Sequence, residues 1–100
     1  MKIEFIDAKL AVIRTERAAA ELRLPISVIK SCREKLIVIE DAPDERVLRE
    51  WAGLRYKKLK GDREGQREVR LNDQYRIVFI LDESRSPPVV QILEIGDIHS

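Results

Sequence analysis

Residues 59–79, LKGDREGQREVRLNDQYRIVF, decide the fold. Two runs with strand character, residues 66–71 and 75–81, flank a short Asn72-Asp73-Gln74 connection, and a third run, residues 54–60, precedes Gly61-Asp62-Arg63-Glu64-Gly65. Gly and Asp mark these connections as turns, because they tolerate backbone conformations that β-branched residues resist. The expectation is a three-stranded antiparallel meander. A five-residue loop at 61–65 sets Lys60 against Gln66, Lys58 against Glu68 and Tyr56 against Arg70. A three-residue loop at 72–74 sets Leu71 against Tyr75, Val69 against Ile77 and Arg70 against Arg76. Side chains alternate between faces, so Leu59, Val69, Leu71, Ile77, Phe79 and Leu81 share one face, and Lys58, Lys60, Glu68, Arg70 and Arg76 the other. A two-residue loop at Asp73-Gln74 would scatter the apolar set. Arg70 directly across from Arg76 is unfavourable, and only Glu68 lies close in sequence on that face to offset the pair, so an anion is the expected partner.

One hundred residues make a single domain, 1–100, with mass for one modest core. Hydrophobic residues at 44% and charged residues at 37% describe a globular chain, not a disordered one. With no apolar run long enough to span a bilayer and no signal-peptide pattern at Met1-Lys2-Ile3-Glu4, a cytoplasmic protein without a membrane partner is expected. Cys32 has no metal-ligand spacing around it and reads as a small buried hydrophobe. The formal net charge of +1 conceals an uneven distribution. Residues 46–76 carry ten Lys and Arg against five Asp and Glu, while the flanking segments are net negative. A local basic patch of this kind can bind phosphates without making the whole protein basic.

The remaining elements supply cover for the apolar sheet face. Residues 2–6 alternate as a short strand with Ile3 and either Phe5 or Ile6 inward. Asp7 suits an N-cap, and residues 8–24 read as a first helix with Leu10, Ile13, Arg17, Ala20 and Leu24 near helical spacing. Pro25 turns the chain into a second helix ending near Glu40, with Val28, Ile29, Cys32, Leu36 and Ile39 as its stripe and Lys30, Arg33, Glu34 and Lys35 facing water. A helical turn at 44–51 follows, and Trp51 is expected to plug the sheet-helix edge, with base stacking the alternative. A polar loop at 82–88 leads to a last strand, 89–95, whose inward parity is ambiguous and could be resolved by a bulge at Gly96. The fold class is α+β: an N-terminal strand and a helical hairpin packed on one face of a twisted, mainly antiparallel sheet.

The chain ends Asp97-Ile98-His99-Ser100. Asp97 and His99 project from one face of an extended strand, and histidine titrates near neutrality, so it can move protons beside a phosphate. Residues 59–65, residues 69–77 and the terminal Asp97-x-His99 together resemble the HigB toxins of bacterial toxin–antitoxin pairs, within the RelE/ParE superfamily. The resemblance is specific over about residues 54–99 and rests on element order alone before that. It implies a RelE-like fold and a ribosome-dependent mRNA endonuclease that inhibits translation, neutralised by a cognate antitoxin: a HigA-like helix-turn-helix DNA-binding protein through which alone operator DNA would be engaged. It places Lys60, Arg70, Arg76, Asp97 and His99 around the scissile phosphate. Ile98 stands where the family usually has tyrosine, and Ser100 is a further small departure.

RNA carries its own nucleophile, the 2′-hydroxyl, so cleavage needs a base near that oxygen, stabilisation of the phosphorane and a proton for the leaving 5′-oxygen. No cofactor or metal is expected, since no carboxylate cluster or Cys/His set is spaced to hold one. Arg70 and Arg76 would stabilise the phosphorane, Lys60 would contact the phosphate or perturb the 2′-hydroxyl, and His99, oriented by Asp97, would exchange the proton. Lys57, Lys58, Arg63 and Arg67 would hold the backbone of messenger or ribosomal RNA. The alternatives are a ParE-like toxin that inhibits gyrase, and a binding module whose Ile98 has disabled chemistry.

Overall fold

The apolar positions of the meander find their cover in the helices. In the computed structural model, which describes residues 1–98, the order is β1 (Ile3–Phe5), a 3-10 helix (Ala8–Arg14), α1 (Ala18–Leu22), α2 (Ile26–Asp41), α3 (Glu45–Glu50), a 3-10 turn (Ala52–Leu54), β2 (Lys57–Lys58), a 3-10 turn (Gly61–Arg63), β3 (Arg67–Arg70), β4 (Arg76–Asp82) and β5 (Val89–Gly96). The five strands form one mixed sheet in the order β1-β5-β4-β3-β2, with β1 parallel to β5 and the other pairs antiparallel. Val69, Ile77, Phe79, Val90 and Ile92 bury against Val28, Cys32, Leu36 and Ile39 of α2 and against Leu10 and Ile13. Fully burying a side chain of this size contributes about 1.5–3 kcal/mol. The expected α+β architecture, helices on one sheet face, is what forms.

The first helix is not continuous. Thr15 Oγ1 donates to the Val12 carbonyl and accepts from the Arg17 amide, so the side chain competes with the helical ladder and the chain breaks between Arg14 and Ala18. Arg33 of α2, expected to face water, turns inward and donates to the carbonyls of Ile13 and Thr15 at 2.7 and 2.6 Å, satisfying groups that a longer helix would have paired internally.

The β3–β4 register is as read: Val69 faces Ile77, Arg70 faces Arg76, and the Leu71 amide donates to the Tyr75 carbonyl. The β2–β3 register differs by one residue. Lys57 faces Glu68, Lys58 faces Arg67, and the Leu59 amide donates to the Gln66 carbonyl. The loop is six residues long, residues 60–65, because Gly61–Arg63 takes up a 3-10 turn between left-handed Gly61 (φ 65°) and Gly65 (φ 88°). A one-residue slip exchanges faces. Leu59 therefore lies with Glu68 and Val78 on the side away from the helices, where Leu59, Glu68 and Val78 are all buried, and Lys58 moves to the helix side.

The parity of β5 is resolved by a bulge, placed at Leu93 and not at Gly96. Val78 faces Glu94 but Phe79 faces Ile92, leaving Leu93 unpaired. Val90 and Ile92 point to the core before it and Ile95 after it, while Glu94 and Gly96 share the outer face with Arg76 and Val78. Ile3 and Phe5 of β1 pack on the core, and Ile6 is exposed.

Candidate functional site

The sheet face away from the helices gathers Lys57, Glu68, Arg70, Arg76, Val78 and Glu94 by strand register. Its centre is an ion pair. Arg76 Nε lies 3.1 Å from Glu68 Oε2, with both side chains almost wholly buried. The same guanidinium donates to the carbonyls of Asn72 (2.8 Å), Tyr75 (3.2 Å) and Asp73 (3.0 Å). Arg76 is thus committed to the protein: it neutralises Glu68 and ties down the 72–74 turn, whose Asn72 side chain also accepts from the amides of Gln74 and Tyr75. The repulsion expected between Arg70 and Arg76 is relieved by Glu68, and the anion that the sequence calls for at Arg76 is this carboxylate.

Arg70 is different. Among the described residues it forms no ion pair, and its side chain lines a hollow of about 150 Å³ with Lys35, Gly53, Arg55, Leu71, Asn72 and Asp73. The two arginines flank the same turn, directly across the strand pair from each other. Asp97 reaches that turn too, since Arg76 pairs with Gly96 and Gln74 Nε2 donates to Asp97 Oδ2 at 2.9 Å. Arg70, Arg76 and Asp97 are therefore gathered at one end of the sheet, and His99 falls outside the described residues.

Lys60 is not gathered with them. It precedes the turn at the other end of β3, and Gln66 alone is four residues from Arg70, roughly 13 Å of strand. The lysine that register places on the same face as Glu68 and Arg70 is Lys57. Three of the four residues expected to hold RNA have carboxylate partners. Arg63 Nη1 meets Glu94 Oε1 at 3.0 Å and Gln66 Oε1 at 2.9 Å on the outer face. Lys58 and Arg67 lie on the helix side, where both approach Glu45 of α3, at 3.8 and 3.2 Å. Arg67 Nε directs its hydrogen to Tyr56 Oη at 3.0 Å, so Glu45 Oε2 is held as a charge beside the guanidinium and not by an aligned hydrogen bond. Burial, with the Glu45 charge adding to it, pushes the Tyr56 phenol up to about 12. Lys57, exposed, is the one of the four that forms no ion pair among the described residues.

Trp51 does not plug the sheet-helix edge; half of it is exposed. It lines a second hollow, about 190 Å³, with Glu34, Lys35, Val38, Gly53 and Leu54. A third hollow, about 310 Å³, lies elsewhere, between Arg14, Arg33, Leu36, Ile37 and Glu40, and its walls are mostly apolar with the Arg14–Glu40 pair closed at 2.9 Å, which suits no anion. Among the described residues no three His, Cys, Asp or Glu side chains converge as a metal site, and no helix is long and apolar enough to cross a membrane. Lys35 and Arg55 are the site cations that the sequence reading missed. Arg55 carried no signal in strand alternation, because it caps the Ala52–Leu54 turn outside β2.

No protein-family model matches the chain, and no curated protein does. Solved structures do match. A YoeB/ParE toxin from Agrobacterium tumefaciens superposes with a TM-score of 0.66 at 17% identity, covering 99% of this chain and 100% of that one. The heterotetrameric YoeB-YefM toxin-antitoxin complex from Staphylococcus aureus gives 0.62 at 17% identity, over 100% and 98%. YafQ from E. coli strain BL21(DE3) gives 0.59 at 11% identity, over 96% and 91%. The chain has the RelE/YoeB-like toxin fold. Within that fold, the 72–74 turn with Arg70, Arg76 and Asp97 sits at the β3–β4 hairpin end of the face left uncovered by helices.

Proposed function

We propose that this protein is the toxin of a toxin–antitoxin pair and acts as a ribosome-dependent mRNA endonuclease. The observation that carries the reading is Arg70: a guanidinium without an ion pair among the described residues, set beside a rigid turn on a RelE/YoeB-like toxin fold. The three motifs that resemble HigB support the narrower HigB-type assignment. The toxin-antitoxin complex among the matching structures supports an antitoxin partner.

In this mechanism the 2′-hydroxyl of the RNA attacks the adjacent phosphorus, the P–O5′ bond breaks, and a 2′,3′-cyclic phosphate and a 5′-hydroxyl result. Arg70 neutralises the charge that builds on the phosphorane oxygens, a role that suits a planar fork of donors. Lys57, on the face with Arg70, takes the part first given to Lys60 and lowers the energy of the forming 2′-alkoxide. His99, oriented by Asp97, carries the proton between the two oxygens. Arg76 acts on the site through the turn and through Glu68. Primer extension on mRNA from cells expressing the chain without a partner tests the reading. Wild type should give new 5′ ends at translated codons and growth arrest, and Arg70→Ala should abolish both. Growth arrest with intact mRNA would overturn the nuclease and leave a gyrase-type toxin.

A further inference from the structure

We propose that the hollow between α2, β3 and the segment after the Ala52–Leu54 turn is a nucleotide subsite, in which Lys35, Arg55 and Arg70 hold a backbone phosphate of single-stranded RNA and Trp51 stacks on the neighbouring base. It deepens the nuclease reading, with which it shares Arg70.

Three elements bring the cations together. Arg55 caps the Ala52–Leu54 turn in a left-handed conformation (φ 50°, ψ 44°) and lines the hollow with Arg70. Ser31 Oγ donates to the Leu71 carbonyl at 2.9 Å, docking α2 against the end of β3, and Lys35 follows one turn later on the same helix face. All three line the 150 Å³ hollow, several times the roughly 30 Å³ of a water molecule. Asp73 is the one carboxylate residue among its lining, so three positive charges face one negative. None of the three cations forms an ion pair among the described residues. Like charges converging in one hollow disfavour each other until an anion enters. Two guanidinium forks beside an ammonium suit the oxygens of a phosphate.

An acidic side chain could also satisfy these cations, and the adjoining hollow decides for RNA. It shares Lys35 and Gly53 with the cationic one and is walled by Glu34, Val38, Leu54 and half-exposed Trp51, a carboxylate among them that disfavours an acidic side chain. A cationic hollow bordered by an accessible aromatic ring is the arrangement that binds single strands, phosphate on the charges and base on the ring.

Trp51 is the only tryptophan, so its fluorescence reports this site alone. Titrating a ten-nucleotide oligouridylate into wild type should quench it, with an affinity that falls as salt rises. The double variant Lys35→Gln/Arg55→Asn, chosen because Asn tolerates the left-handed conformation, should bind at least tenfold more weakly. Its log K against log salt should be flatter by about 0.7, the slope of one single-strand phosphate. Trp51→Leu, followed with a labelled oligouridylate, should lose about fivefold or more. RNA binding that leaves Trp51 emission unchanged in wild type overturns the proposal, as does hexaglutamate quenching it more tightly than RNA at equal salt. If wild type fails to cleave mRNA while RNA still quenches Trp51, the nuclease reading falls and the subsite stands. If it cleaves and the double variant binds and cleaves as wild type does, the subsite falls alone.

Discussion

Arg70 and Arg76 face each other across two strands and do unlike things. Arg76 is surrounded by Glu68 and three carbonyl oxygens, so removing it breaks a buried ion pair and the ties that hold the turn. Arg76→Ala should lower stability by about 3–5 kcal/mol in urea unfolding, a large part of the roughly 5–15 kcal/mol that holds a domain folded. Loss of toxicity in that variant would therefore say nothing of catalysis. Arg70→Gln should keep the melting temperature within about 3 °C of wild type while abolishing cleavage; a large drop in melting temperature would make Arg70 structural as well. Cys32, fully buried with its thiol pushed up to about 12 by that burial, should resist thiol reagents until the chain unfolds. Rapid labelling under native conditions would contradict its place in the core.

At the scale of elements, what the sequence disclosed followed from how many apolar residues reported on each strand. The β3–β4 register was legible because Val69, Leu71, Ile77 and Phe79 all report the same parity. β2 has two lysines and one apolar neighbour, Leu59, and a loop whose 3-10 turn absorbs an extra residue, so charge alternation pointed to the wrong lysines. The break in the first helix was hidden because Thr15 acts through its hydroxyl, which periodicity does not register. The site followed the same division: Arg70, Arg76 and Asp97 were recoverable from local motifs, whereas Lys35 and Arg55 required knowing how α2 sits on the sheet edge. The hairpin offers its own test. Gly65 has φ 88° with no atom near a would-be Cβ, so Gly65→Ala should cost about 1–2 kcal/mol of backbone strain alone, measurable as a lowered urea midpoint with unchanged slope.

For the molecule as a whole, stability should be bounded by pH on both sides. Cys32 and Tyr56 rise from ordinary values of 9.0 and 10.0 to about 12, so the folded chain keeps protons that the unfolded chain releases. The stabilisation they provide is complete below pH 9 and is lost as pH climbs toward 12. Glu4, held low by its hydrogen bond from Arg85, and Asp82, held low by Ser84, act oppositely: their contribution is present above their ordinary values of 4.5 and 3.8 and disappears as pH falls below them. Urea midpoints across pH 3–11 should trace this plateau, and a midpoint that stays flat from 8 to 11 would refute the alkaline limb.

The unpaired Leu93 bears on how such a chain can change over generations. The bulge absorbs that one extra position, so Glu94 still meets Val78 and Ile95 still meets Ile77 beyond it. Excising that single codon would straighten the strand while leaving Glu94 opposite Val78 and Ile95 opposite Ile77, each on the side it holds now. The loss of a leucine there would thus cost the strand its kink and leave the charges beyond it where they stand.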